Sequence, residues 1–255
     1  MISPLQITIY FSLITLGYFI IKFMLCETYS QKKEGKGVMA CRIITAIYLA
    51  TILAIQFIAN YQIVLKKCGE PQFAKTITYT LGPNLIIFGG LMTLLTVFPG
   101  WKAPFSNTIG YVVLNGLGKL IMGKGIGDAL LAILKKDNSN KLLKKVYADP
   151  SMMVNDITPD NFNVFIQRLG GNNSIKKSDV SEEDLATLYN FVVLKDNIAS
   201  FVWYFLTGLL VIQNSNSYIQ TMKCVRSETQ LAKNFRKSKV VKADKDDRKW
   251  KIPAE

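Results

Sequence analysis

Three stretches of this chain, Leu5–Phe23, Ile43–Leu65 and Leu81–Phe98, are long and apolar enough to lie inside a lipid bilayer. A hydrocarbon core of about 30 Å takes about 20 helical residues to cross, and each of the three is near that length. A fourth stretch, Ile198–Ile212, is apolar but shorter. This pattern fixes the solvent in which the chain folds. It also moves the question of function from chemistry toward architecture, transport or anchoring.

Composition agrees. Only 19% of the 255 residues are charged, against about 25% in ordinary soluble domains. The length accommodates four spans and one further domain of roughly 65 to 95 residues. The net charge of +13 is uneven: Asn214–Glu255 carries eleven Lys/Arg against five Asp/Glu, whereas Gly100–Asn197 carries twelve against ten. The basic excess thus sits on loops and tail, where anionic headgroups, acidic protein surfaces or nucleic acid would meet it.

The chain has no histidine, and its four cysteines (Cys26, Cys41, Cys68, Cys224) form no CxxC pair. An all-Cys zinc site needs thiolates in close pairs, so no metal site is expected. The cysteines read as small apolar residues near helix ends in a reducing setting, rather than as a disulfide framework. Without histidine the commonest general base and the Ser–His and Cys–His couples are missing. No carboxylate pair stands in a recognisable motif either. The expectation is a protein that is not an enzyme and uses no cofactor.

Along the chain, Leu5–Phe23 lacks a basic leader and an A-x-A site, so it reads as an uncleaved helix rather than a signal peptide. A polar connector with Gly35 and Gly37 follows. Gln56 and Asn60, four residues apart, share one face of the second span and should point at another helix or a watery path. Gly82-Pro83-Asn84 reads as the opening of the third span, with Gly89-Gly90 allowing close packing or a kink. Pro99-Gly100 ends it. Trp101 then suits the headgroup level, where the indole N–H stays wet. Ile109–Met122 is apolar but contains Asn115 and Lys119, and it admits a spanning or an interfacial, re-entrant helix. Thr158-Pro159 reads as a helix start, stopped at Gly170-Gly171. Ser181-Glu182-Glu183-Asp184 starts another helix, whose face is lined by Leu185, Leu188, Val192 and Lys195. No breaker separates it from Ile198–Ile212, so one helix is expected to continue into the membrane.

Several motifs lose to plainer readings. Thr108-Ile109-Gly110-Tyr111 is followed by Val112 where a potassium filter has Gly. Gly123-Lys124-Gly125-Ile126-Gly127 lacks the P-loop pattern. Asn172-Asn173-Ser174 is a formal glycosylation sequon. In the tail, Lys233, Arg236, Lys237, Lys239, Lys242, Arg248, Lys249 and Trp250 form a candidate surface for a protein partner or anionic lipid. Nucleic acid fits less well, because aromatic interleaving is sparse.

The run Phe98-Pro99-Gly100-Trp101-Lys102-Ala103-Pro104-Phe105-Ser106-Asn107-Thr108-Ile109-Gly110-Tyr111 resembles a block in small multi-span proteins of nucleocytoplasmic large DNA viruses. The resemblance covers this block strongly and the apolar N-terminal half weakly. It implies a minor capsid or virion protein of the inner membrane of a giant virus, passing through host intracellular membranes during assembly and linking the bilayer to the capsid shell. The expected fold is all-α: three transmembrane helices in 1–98, an interfacial, re-entrant or additional membrane segment in 99–134, a helical soluble insertion in 135–197, a fourth apolar membrane helix in 198–213, and a basic C-terminal arm in 214–255. The alternative is a small ion channel or transporter whose polar path is Gln56, Asn60, Asn115 and Lys119.

Overall fold

The computed structural model describes residues 4–34, 37–137, 139–171 and 174–224. Among them the chain is helical, and the one β feature is an isolated bridge between Leu134 and Lys176. Four helices are long and apolar enough to cross a membrane: Leu5–Glu27, Val38–Cys68, Phe73–Val97 and Glu182–Thr221. The Lys- and Arg-rich arm, including Lys233, Arg236, Lys237, Lys239, Lys242, Arg248, Lys249 and Trp250, lies outside the described residues, as do Asn172 and Asn173.

Side-chain pairs set the direction of each span. Thr15 meets Tyr48 and Tyr18 meets Thr45, so the first two spans run antiparallel. Asn60 meets Thr80 and Gln56 meets Asn84, which reverses the chain again. Tyr79 stacks on Tyr218 and Phe88 meets Tyr204, so the fourth helix opposes the third. The result is an up-down-up-down bundle. The first connector and residues 98–181 lie at one end. The Gly69–Gln72 connector, Pro4 and Cys224 lie at the other.

Aromatic rings fill the centre. Tyr204 of the fourth helix stacks near Tyr18 and Tyr48, which themselves stack with centroids 4.2 Å apart. Phe11 is buried where the first span crosses the fourth helix at Gly208. A Cβ on Gly208 would sit 2.0 Å from the Phe11 ring, so the glycine makes that crossing possible. Small residues serve this purpose where backbones approach within a membrane.

The third span is longer at its start than expected. It runs from Phe73, and Pro83 lies inside it rather than at its opening. Proline removes one ladder donor and crowds the preceding turn. The helix absorbs this by a π turn over Asn84–Phe88, a recognised way to bend without ending. The Asn84 amide donates back to the Thr80 carbonyl at 2.8 Å. Polar–polar bonding across the bundle thus keeps a segment helical that local sequence breaks.

Ser181 caps the fourth helix as expected: its hydroxyl accepts from the Asp184 N–H at 3.0 Å. Without a break, this 40-residue helix runs through both halves of the molecule, about 60 Å at 1.5 Å per residue. Its first half carries Leu188, Phe191, Val192 and Val193 into a second core, formed with Leu114, Ile126, Leu130, Ile133, Leu143, Val146, Ile157, Phe162 and Leu169. Burial of such side chains stabilises by roughly 1.5–3 kcal/mol each. This core draws its buried residues from Leu114 onward, with Phe23 and Tyr29 packed against it, so the chain after Gly110 packs with 135–197 and the first half of the fourth helix. The Thr158-Pro159 start is displaced: the helix begins at Phe162. Thr158 and Asn161 instead bond reciprocally, Thr158 N–H to Asn161 Oδ1 and Asn161 N–H to Thr158 Oγ1.

All four cysteines are paired, which overturns the reading of them as isolated apolar residues. Cys26–Cys41 closes the first connector, and Cys68–Cys224 ties the end of the second span to the end of the fourth helix. The sequence hides this because the partners are 15 and 156 residues apart, while helix direction brings each pair to one end. In the chain-entropy picture the shorter loop contributes about 3 kcal/mol and the longer close to 5 kcal/mol. Two outcomes follow for the purified protein in detergent. Maleimide–polyethylene glycol should add to none of the four cysteines before reduction and to all four after it, read by gel shift. Gly208→Ala should lower stability by about 1–3 kcal/mol, read by thermal unfolding, and Phe11→Leu in the same chain should restore part of the loss.

Candidate functional site at the junction of bundle and insertion

The polar residues that composition singled out do not converge. Gln56 and Asn60 are buried in the bundle and both bond to the third span, although Gln56 Nε2 has no hydrogen-bond partner among the described residues. Asn60 Nδ2 donates to Thr80 Oγ1 at 2.9 Å, and Asn84 Nδ2 donates to Gln56 Oε1 at 2.5 Å. Such bonds contribute about 0.6 to 2 kcal/mol each within a membrane. Asn115 and Lys119 lie on the Tyr111–Met122 helix, which is not one of the four spans. Asn115 packs on Gly125. Lys119 is half exposed and pairs with Asp128 at 3.4 Å. These two residues fasten the Tyr111–Met122 helix to the Ile126–Ile133 helix. Gln56 and Asn60 thus lie within the bundle, and Asn115 and Lys119 on a helix outside the four spans. Trp101 is half exposed, and its carbonyl accepts from the Trp203 indole N–H at 3.0 Å. With Phe105 against Trp203, this aromatic group stands where the bundle meets the insertion, as headgroup-level aromatics do.

The charged chemistry gathers at that same level, at residues largely missed by sequence reasoning. A cavity of about 620 Å³ opens between the ends of the spans and the insertion. Lys22, Met92, Leu95, Thr96 and Tyr204 line it from the bundle, and Asn155, Thr158, Pro159 and Asp160 from the insertion. Lys22 pairs with Glu27 at 2.6 Å, and Lys102 pairs with Asp196 at 2.6 Å. Asn197 Nδ2 donates to the second oxygen of Glu27 at 2.8 Å. This set ties the first span, the Pro99–Lys102 turn and the fourth helix together.

Lys195 is the residue at the centre. It is 2% exposed. Its ammonium donates to the Val154 carbonyl at 2.6 Å and to Asn107 Oδ1 at 3.4 Å. Among the described residues it is in no ion pair. A buried ammonium held only by neutral oxygens carries a large desolvation cost. Backbone packing holds it there: a Cβ on Gly110 would come 2.8 Å from the Lys195 carbonyl and 3.0 Å from its Cγ. The sequence signal for Lys195 is a lone cation on the apolar face of an amphipathic helix. The signal for Glu27, Asn155 and Asp160 is absent, since their neighbours in space are remote in sequence. Among the described residues no three His, Cys, Asp or Glu side chains cluster to hold a metal.

No family model, curated protein or solved structure matches the chain. The four long apolar helices mark it as a membrane-associated protein by length and composition.

Gly110 gives a direct check of the junction. Gly110→Ala should force the 106–110 turn away from the fourth helix and cost about 1–3 kcal/mol. Thermal unfolding measures this. Gly116→Ala, which has open space around its Cα, should change stability by well under half of that.

Proposed function

We propose that this protein is a structural, membrane-anchored virion component that links an inner membrane to the surrounding capsid shell. The observation that carries the reading is the single helix Glu182–Thr221, which belongs at once to the core of the insertion and to the core of the bundle. A partner held by the insertion is thereby coupled to the bilayer without a flexible joint. The Lys22–Glu27, Lys102–Asp196 and Asn197–Glu27 contacts stiffen the junction further. Confinement in a bilayer also makes weak contacts sufficient, because many copies act together.

The disulfides support the same setting. One bridge lies at each end of the bundle. Disulfides persist in oxidising surroundings and are rare on surfaces facing a reducing cytosol. Bridges on both faces suit a membrane that is enclosed in a particle and leaves the cell. The channel reading has less support, since the Asn60 and Asn84 amide nitrogens are bonded to Thr80 and Gln56, which leaves Gln56 Nε2 the one amide nitrogen of the three without a partner.

The described chain ends at Cys224, at the end of the bundle opposite the insertion, so the insertion and the basic arm root address different sides. We assign shell contact to the insertion, whose exposed apolar residues include Leu142, Met152 and Val164 beside Lys141, Lys144 and Lys145. Crosslinking mass spectrometry on intact particles tests this. Lys135–Lys145 should link to a shell protein, and the lysines beyond Cys224 should link to a different set of molecules. Links confined to other copies of this chain would overturn the proposal.

A further inference from the structure

We infer that the junction cavity is a binding site for a phosphate ester carrying an amine, the chemistry of a phosphoethanolamine headgroup. Three observations converge. First, Lys195 lines the cavity with an ammonium that has three protons and two protein acceptors, Val154 O and Asn107 Oδ1. The remaining N–H is a donor for an anionic oxygen. The other two cations in the wall are occupied, Lys22 by Glu27 and Lys102 by Asp196. Second, acceptors line the same cavity, next in the chain to the Val154 carbonyl that holds Lys195. Asn155 Oδ1 is buried without a hydrogen-bond partner, and the Asp160 carboxylate is in no ion pair among the described residues. An orphaned buried acceptor carries a desolvation cost that a ligand N–H removes. With Glu27 and Asp196 already paired, the cavity offers one cation and one carboxylate, which matches a zwitterion rather than a simple anion. Third, its volume of about 620 Å³ falls within the ordinary range for small-ligand sites. Its apolar wall of Met92, Leu95 and Tyr204 comes from the spans, and Trp101 and Trp203 stand at the same level.

Two sources present this chemistry: phosphatidylethanolamine from the bilayer, and a soluble phosphoethanolamine. Native mass spectrometry of the full chain in detergent separates them. The probes are phosphatidylethanolamine, phosphatidylglycerol of the same acyl chains, and O-phosphoethanolamine. Phosphatidylethanolamine should bind the unmodified chain at least tenfold tighter than phosphatidylglycerol. Lys195→Met should reduce binding of phosphatidylethanolamine at least tenfold. Asp160→Asn, an exposed position whose replacement leaves the fold intact, should abolish the preference between the two lipids. Stronger binding of O-phosphoethanolamine than of either lipid would assign the site to a soluble ligand and keep its chemistry. Absence of binding by all three probes, or lipid binding unchanged in the Asp160→Asn chain, would overturn the inference. Neither result bears on the shell contact, which the crosslinks read separately.

Discussion

The fourth helix belongs to two cores at once, and the rest of the molecule depends on how it joins them. Its first half is buried by the insertion, and its second half by three other helices. At the boundary stand Lys195, Asp196 and Asn197 in succession, where an apolar helix would otherwise run on. None of the three is left to bulk water. Lys195 turns to Val154 and Asn107, Asp196 to Lys102, and Asn197 to Glu27. Three consecutive polar residues point in three directions around the helix, and each recruits a different segment. That arrangement collects the first span, the Pro99–Lys102 turn and the insertion at one level. Polar groups placed where dielectric changes must be paired, and the pairing here is what assembles the junction.

Much of the architecture was legible in the sequence. The three long apolar stretches, the Ser181 cap and the uninterrupted helix from Glu182 onward all reflect local rules. Length and period express themselves over neighbouring residues. Pro83 shows where those rules stop. Read locally it opens a helix; in the bundle it sits inside one, because the Asn84–Thr80 and Asn84–Gln56 bonds hold the chain on both sides of the bend. The Thr158 start failed for a related reason: a reciprocal turn with Asn161 competes with helix initiation, as Ser, Thr, Asn and Asp side chains do.

The candidate site was much less legible. Of the polar residues picked from the sequence, Gln56 and Asn60 bond to the third span, and Asn115 and Lys119 fasten the Tyr111–Met122 helix to the Ile126–Ile133 helix. The cavity wall draws on residues as far apart as Lys22 and Tyr204, and no spacing rule connects them. The cysteines make the same point. Nothing about Cys68 and Cys224 suggests a pair until the chain is threaded through an even number of antiparallel passes.

That even number of passes has a practical side. Pro4 and Cys224 emerge from the same end of the bundle, where the Lys67 ammonium also caps the carbonyls of Ile219 and Gln220. A reporter placed beside Pro4 or beside Cys224 therefore reads one end of the bundle only. Its signal would be blind to the face that carries the insertion. An epitope in the exposed 135–137 turn samples the other, so the two positions together make a topology assay that needs no knowledge of orientation beforehand.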